Sequence, residues 1–275
     1  MAEKIWFITG TSRGFGREWA TAALERGDRV AGTARDVSTL DALVERFGDA
    51  FLPLALDVTD READFAAVAA AHERFGRLDV VVNNAGYGQF GMVEELSEAD
   101  WRDQLETNVL GAVWVTQAAL PYLRAQGSGH VVQVSSIGGI SAFVDLGAYH
   151  ASKWALEGFS QSLAQEVAEF GIHVTLVEPG GFDTDWRGSS ARHATPLPAY
   201  DAARERRAAQ RASQNTDGQG DPHASAAAIL RVVDAAEPPL RVFFGTAPLE
   251  IARRDYASRL ATWEQWDDVS RLAQG

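Results

Sequence analysis

Seven short apolar runs punctuate the chain, at positions 5–8, 30–33, 52–56, 80–82, 130–134, 172–177 and 242–244, and longer segments with helical spacing separate them. Val80-Val81-Val82 carries no polar alternation, and the other runs carry little. This is the pattern of strands covered on both faces, because a strand with one wet face alternates apolar and polar residues. Helix starts are signalled between the runs. Ser38-Thr39-Leu40-Asp41 and Ser97-Glu98-Ala99-Asp100 both set Ser and Asp three apart, the spacing of a capping box. Strand followed by helix, repeated along the chain, predicts an α/β fold: a doubly wound, seven-stranded parallel sheet with helices on both faces. The rhythm lapses over 184–222, where Arg, Ala, Ser and Gln gather around Pro196, Pro198 and Asp217-Gly218-Gln219-Gly220. Positions 199–213 read as helix, and an excursion of this length in a compact domain is expected to be a lid or substrate loop.

With 275 residues, 46% of them hydrophobic, the chain can bury a substantial core, and one domain spanning 1–275 is expected. The 38 acidic residues outnumber the 25 basic ones, and a formal net charge of -13 repels phosphate backbones and anionic membrane surfaces. Neither a nucleic-acid nor a membrane partner is expected. The absence of cysteine excludes disulfides and thiolate metal sites, and no metal centre is expected. Met1 to Lys4 run straight into Ile5-Trp6-Phe7-Ile8 without a basic-then-apolar leader, and no run of about 18 apolar residues occurs. The expected location is the cytoplasm.

Thr9-Gly10-Thr11-Ser12-Arg13-Gly14-Phe15-Gly16 follows the first strand and leads into a helix-compatible stretch. Glycines there permit a tight turn and close backbone approach, so free amides and the positive end of the helix dipole can receive a pyrophosphate. Gly10-Thr11-Ser12-Arg13-Gly14 also matches the G-x-S-x-G elbow of serine hydrolases, with Ser12 as nucleophile and a late histidine such as His223 as partner. The elbow reading lacks an HGGG-like loop and an earlier strand to build the oxyanion hole. The phosphate loop is the stronger reading.

Four elements together carry a family resemblance: the glycine loop Thr9 to Gly16, Asn83-Asn84-Ala85-Gly86 after the fourth strand, Ser135-Ser136 after the fifth, and Tyr149-His150-Ala151-Ser152-Lys153. In these the chain resembles the short, single-domain branch of the short-chain dehydrogenase/reductase family. The resemblance covers about 4–184 and weakens beyond. It implies a Rossmann-type sheet and hydride transfer between a nicotinamide cofactor and a small carbonyl or alcohol substrate. It further implies Asn108, Ser136, Tyr149 and Lys153 as catalytic residues, with the Asn108 backbone carbonyl holding a relay water and Ser136 the substrate oxygen. Tyr149 and Lys153, four apart, share a helix face, and the ammonium is expected to lower the phenol's proton affinity. Gly10, Ser12, Arg13, Gly14, Phe15, Gly16, Asn83, Asn84, Ala85, Gly86, Pro179, Gly180 and Thr184 are implied to line the cofactor, together with Tyr149 and Lys153. Homodimers and homotetramers are the assemblies the resemblance implies.

The cofactor's ribose end separates NADP from NAD. Ala34 stands where NAD enzymes carry an acid, Arg35 follows it, and Arg13 can converge on the same pocket, so NADP(H) is expected over NAD(H). Asp36 weakens that preference if it points inward. Asp57 and Val58 are expected at the adenine. Gln89, Phe90, Phe143, Val144 and Trp186 are the expected substrate-pocket residues, largely apolar and suited to an uncharged ketone or aldehyde, while arginines of the excursion leave room for an anionic tail. The segment from Pro238 to Gly245 and a helix to about Trp266 resemble the end of a subgroup that includes relatives of hydroxysteroid dehydrogenases. A nucleotide-binding sensor or scaffold on the same fold is the alternative; such a protein would be expected to lose Ser136, Tyr149 or Lys153, and all three are present.

Overall fold

Successive side chains of the apolar runs leave the backbone on opposite sides, and each side meets its own layer of helices. The computed structural model describes residues 3–188, 190–213 and 219–275. Ile5–Ile8 (β1), Arg29–Ala34 (β2), Phe51–Ala55 (β3), Val80–Asn83 (β4), Gly129–Val134 (β5), Ile172–Pro179 (β6) and Arg241–Phe244 (β7) form one sheet. Its order is β3-β2-β1-β4-β5-β6-β7, and every neighbouring pair is parallel. The helices are Gly14–Glu25 (α1), Asp41–Phe47 (α2), Arg61–Phe75 (α3), Glu98–Leu105 (α4), Gly111–Gln126 (α5), Gly147–Val167 (α6), Asp201–Ser213 (α7), Ser225–Val233 (α8), Pro248–Gln265 (α9) and Asp267–Gln274 (α10).

In β1, Trp6 and Ile8 pack with Val80, Val82 and Val132 against Trp19 and Leu24 of α1 and Ile229 of α8. Ile5 and Phe7 point the other way, with Val81 and Val131, onto Val68 of α3, Val115 and Leu123 of α5 and Leu163 of α6. The fold is thus the doubly wound, Rossmann-type arrangement, and each strand contributes to two cores. Fully burying one such side chain is worth about 1.5–3 kcal/mol, so the two apolar layers dominate the stability. Among the described residues no helix is long and apolar enough to cross a membrane.

Local details depart from the sequence pattern in two places. Ser97 does form a capping box, its hydroxyl accepting Asp100 N at 3.2 Å while Asp100 Oδ2 accepts Ser97 N at 2.9 Å. Ser38 does not. The Asp36 carboxylate accepts both the amide and the hydroxyl of Ser38, at 3.0 and 2.7 Å, and opens a 3-10 turn, Val37–Leu40, ahead of α2. An ionised acceptor two residues upstream outcompetes Asp41 for the same donors. The second departure is a separate parallel pairing of Gln89–Phe90 with Arg192–His193, too short to show a periodicity. The expected helix in the excursion is present as α7, and the last helical stretch continues past Trp266 as α10. Asp217 and Gly218 lie outside the described residues.

Asp64 of α3 is 0% exposed, and neither carboxylate oxygen has a hydrogen-bond partner. Burial, reinforced by Asp60 and Asp57, pushes its carboxyl up to about 8. The fold therefore keeps a proton that the unfolded chain releases near pH 4, and stability falls as pH rises between about 4 and about 8. Asp64→Asn, which keeps the shape without the charge, should raise the melting temperature at pH 8 by several degrees, on the order of 1–3 kcal/mol, with a smaller gain at pH 4. Thermal melts of both proteins across that range check this; equal gains at both pH values would contradict it.

Candidate functional site

From β1 the strand order runs outward to β2 and β3, and from β4 it runs the other way to β5, β6 and β7. Connections that depart in opposite directions leave a crevice at the carboxyl ends of β1 and β4. A cleft of about 1990 Å³ occupies this position. Its floor begins with the loop after β1, where Gly10 and Gly14 adopt left-handed conformations, φ +69 and +58. Gly10, Ser12, Arg13, Gly14 and Phe15 line the cleft. Gly16 does not: a Cβ there would stand 2.3 Å from Gly10 O and 2.5 Å from Asn84 Nδ2, so its task is to let α1 press against the loop. α1 opens with no side-chain cap and no acid in its first turn. Its leading amides and positive dipole end are left for another acceptor.

At the end of β4 the two asparagines part. Asn83 turns away from the cleft, donating to Thr116 Oγ1 at 2.9 Å and Ala112 O at 3.3 Å, which corrects its expected place at the cofactor. Asn84, Ala85 and Gly86 line the cleft, and Asn84 Nδ2 donates to the carbonyls of Thr9 and Gly10 at 2.9 and 3.0 Å. At the end of β2, Arg35 lines the cleft and forms no ion pair with a described residue, whereas the Asp36 carboxylate is occupied by Ser38 and lies off the lining. Asp57 and Val58 also border the cleft; the Asp57 carboxylate accepts Thr59 N at 3.1 Å and the Thr59 hydroxyl at 2.8 Å. Pro179, Gly180 and Thr184 form the wall beyond β6.

Ser136, Tyr149 and Lys153 meet on this cleft. Ser136 follows β5, where its hydroxyl accepts Gly138 N at 2.9 Å, and it lies on the same cleft as the Tyr149 side chain. Tyr149 and Lys153 are buried on the first turns of α6, with Lys153 Nζ 5.8 Å from the centre of the Tyr149 ring. Lys153 donates to Val134 O at 2.7 Å. The expected lowering of the phenol is not what this geometry gives. Burial pushes Tyr149 up to about 12, opposed by the Ser136 hydrogen bond, and burial pulls Lys153 down to about 8, opposed by the charge of Glu157. The ammonium is committed to a carbonyl, so desolvation governs both groups.

Asn108 sits in a π-helical turn, Glu106–Leu110, between α4 and α5. Such a turn interrupts the regular backbone ladder, a feature that concentrates at functional sites. Its side chain is fully engaged: Oδ1 accepts Tyr87 N at 3.1 Å, and Nδ2 donates to Tyr87 O at 3.0 Å and Ser152 Oγ at 3.1 Å. Asn108 thus clamps the loop after β4 to α6, the helix of Tyr149 and Lys153.

Phe143, Val144 and Trp186 line the cleft, as expected of pocket residues, and Trp186 packs on Tyr149 with ring centres 4.9 Å apart. Gln89 and Phe90 do not line it. They are buried in the small sheet behind the wall, where Gln104 Oε1 holds Gln89 N at 2.8 Å and Phe90 supports Trp186 from a ring-centre distance of 5.3 Å. Sequence reasoning missed Leu146, His150, Ile251 and Arg254, all on the lining. His150 adjoins the Tyr149 motif, and its ring bonds Gly138 O at 2.8 Å and the amide of Phe143 at 2.8 Å, holding the loop 138–143. The α9 residues carry no signal that could have placed them here. His223 is exposed and paired with Glu18 at 2.9 Å, and no described histidine is hydrogen-bonded to Ser12. The elbow reading has no triad.

The family model described as short chain dehydrogenase matches residues 4–195. Oxidoreductase BOA17 of Botryotinia fuckeliana (strain B05.10) is 45% identical over 268 residues, covering 97% of this chain and 98% of the relative. A short-chain dehydrogenase from Streptomyces avermitilis has the same architecture, with a TM-score of 0.89, 42% identity and 98% of both chains covered. Two more distant structures carry cofactors. An alcohol dehydrogenase from Thermococcus sibiricus complexed with 5-hydroxy-NADP has a TM-score of 0.75 at 26% identity, over 90% of this chain and 98% of its own. A short chain dehydrogenase/reductase from Burkholderia phymatum in complex with NAD has a TM-score of 0.78 at 25% identity, over 91% and 92%. With the crevice at the strand-order reversal, the glycine loop and the Ser136, Tyr149 and Lys153 cluster on one cleft, these likenesses have one reading: the chain belongs to the short-chain dehydrogenase/reductase family of oxidoreductases, whose members bind a nicotinamide cofactor.

Proposed function

We propose that this protein is an NADP-dependent reductase that interconverts a ketone or aldehyde and its alcohol, with Tyr149 as proton donor. The observation that carries the reading is the meeting of Tyr149, Ser136 and Lys153 at the carboxyl end of β5, on the same cleft as the uncapped start of α1. The residues fit a dinucleotide: glycines in left-handed turns, free leading amides and an arginine at the end of β2. NADPH, when bound, supplies the hydride. Gly10, Ser12, Arg13, Gly14, Phe15, Asn84, Ala85 and Gly86 would hold it, with Pro179, Gly180 and Thr184 on the far wall and Asp57 and Val58 at the adenine. Arg35, on the cleft lining, is the group suited to a 2′-phosphate, and the Asp36 carboxylate lies off that lining, engaged by Ser38. Charge-assisted hydrogen bonds of this kind are worth about 1.5–3 kcal/mol each.

Ser136 Oγ, beside Tyr149, is placed to donate to the substrate carbonyl oxygen in the same cleft. A phenol whose proton affinity is raised by burial is neutral at pH 7, the state required of an acid that protonates the oxygen as it gains charge. The phenolate left behind faces the Lys153 ammonium, which favours it electrostatically at the moment the charge appears. The Asn108 backbone carbonyl, in its π-helical turn, would hold the water that returns a proton through Lys153. Apolar Phe143, Val144, Trp186 and Ile251 suit an uncharged carbonyl compound next to Tyr149.

Tyr149→Phe should leave NADPH binding within about threefold while lowering turnover of a ketone and aldehyde panel about a hundredfold or more; unchanged turnover removes Tyr149 from the mechanism. Reductive turnover should also fall as pH rises through about 8, where Lys153 loses its proton. Parallel fluorescence titrations with NADPH and NADH test the cofactor reading: the wild type should favour NADPH, and Arg35→Asp should move preference toward NADH by about tenfold or more. A variant with unaltered preference assigns the phosphate to another group.

A further inference from the structure

Behind Lys153 lies a buried cluster that the reaction as drawn above does not use. One turn along α6, Glu157 Oε1 accepts from Ser135 Oγ at 2.5 Å, and Glu157 Oε2 accepts from Arg241 Nε at 2.9 Å. Arg241, on β7, stands 3.4 Å from Glu178 Oε1 at the end of β6 and also donates to Gln161 of α6 at 3.0 Å. The side chains of Glu157 and Glu178 are only 8% and 1% exposed, and both carboxyls flank the Arg241 guanidinium. Glycine is required alongside, because a Cβ at Gly139 would stand 2.8 Å from Ser135 Oγ and 3.0 Å from Glu157 Cγ.

Two buried carboxyls beside one cation do not both ionise readily, and their hydrogen-bond partners decide which of them keeps a proton. Glu157 accepts two short hydrogen bonds that favour its ionised form, although burial raises it too. Glu178 Oε1 has no hydrogen-bond donor, and burial beside Glu157 pushes its carboxyl up to about 8. The hydrogen bonds therefore favour Glu157 as the anion and leave the proton to Glu178. Among the described residues, the charged and titratable groups facing Glu157 are Lys153 from its own helix, Glu178 from β6 and Arg241 from β7. Lys153, four residues before it, shares its helix face.

We propose that Glu157 is a positioning residue for the reaction: an ionised counter-charge, clamped by Ser135 and Arg241 beside a protonated Glu178, that keeps Lys153 a cation next to Tyr149 and ties the strand end bearing Ser136 to α6. The proposal rests on the assignment of Tyr149 and Lys153 as the proton-transfer pair. Removing the anion makes the buried ammonium less favourable, and Lys153 then loses its proton at lower pH.

The test is the pH profile of kcat for NADPH-dependent carbonyl reduction, with NADPH affinity measured in parallel by fluorescence. Glu157→Gln should move the alkaline fall in turnover downward by about one pH unit, with NADPH affinity changed less than about threefold. Arg241→Gln, at a side chain that is 33% exposed, should move the fall the same way, because Glu157 without its cation takes up a proton; this variant keeps the question answerable if Glu157→Gln does not fold. Glu178→Gln replaces a neutral acid with a neutral amide and should leave the position of the fall unmoved. Loss of stability or of kcat in Glu157→Gln and Arg241→Gln with the alkaline fall in its wild-type place overturns the proposal, as does a shift in Glu178→Gln equal to theirs. Tyr149→Phe that retains full turnover would instead sink the underlying assignment.

Discussion

The Thr9 hydroxyl holds together the point from which the site opens. It accepts the amides of both Asn84 and Ala85 at 2.9 Å, while Asn84 Nδ2 returns two bonds to the carbonyls of Thr9 and Gly10. These bonds join the ends of β1 and β4 where the sheet ladder stops and the two chains separate. Without them, two loops would leave adjacent strands with their amides and carbonyls unpaired in a buried setting, at a cost of about 1–3 kcal/mol for each group. Gly16 fits under the same knot, and the start of α1 is thereby fixed over the cleft. The uncapped amides of α1, the loop after β4 and the cleft floor all follow from this one junction.

Around the junction Tyr149 and Lys153 are buried, and burial sets the electrostatics. Burial keeps the Tyr149 phenol protonated and works against the Lys153 ammonium; the Ser136 hydroxyl and the Glu157 charge partly offset these effects. A water-exposed site would need neither counterweight, but its dipoles would also do less for a charge that appears during reaction. The chain solves the problem with short-range partners on rigid elements. Ser135 and Ser136 sit at a strand end, Lys153 and Glu157 on one helix face, and Arg241 on the neighbouring edge strand. Asp64 stands in contrast, a buried acid with no hydrogen-bond partner.

What could be read from the sequence follows the range of the interactions involved. The seven strands, α7 and the Ser97 cap rest on local periodicity and local hydrogen bonding, and all are present. The Ser38 cap failed because a stronger acceptor, Asp36, lay two residues away. Ser136, Tyr149 and Lys153 were legible through their joint spacing. The direction of the Tyr149 shift was not, because burial and the commitment of Lys153 to Val134 O are properties of the packed molecule. Asn83 and Asn84 are adjacent and chemically alike, and only the pleat of β4 decides that one clamps α5 while the other faces the cleft. Gln89 and Phe90 were placed one layer too far forward, because a two-residue pairing with Arg192–His193 leaves no signal in either segment.

The walls of the cleft differ from its floor in what holds them. The floor is built on strand ends backed by two apolar cores. The excursion is attached largely by polar ties: Arg192 to Asp103 at 2.8 Å, Tyr200 Oη to Glu94 at 2.6 Å, Arg204 to Glu95 and Arg207 to Asp145 at 3.0 Å. Arg192–Asp103 is an exposed pair, worth about 0–1 kcal/mol and less than one buried leucine, whereas Arg204–Glu95 and Arg207–Asp145 are partly buried. Asp145 also holds a left-handed backbone, φ +75, steadied by its carbonyl's bond from Gly91 N at 3.1 Å. Arg207 of α7 meets the loop before α6 at this left-handed residue. Ser136, just past the end of β5, and Tyr149 and Lys153, on α6, stand on the other side, where displacement would cost core packing. The two sides therefore rest on separate physical supports and meet where Trp186 of the excursion packs on Tyr149.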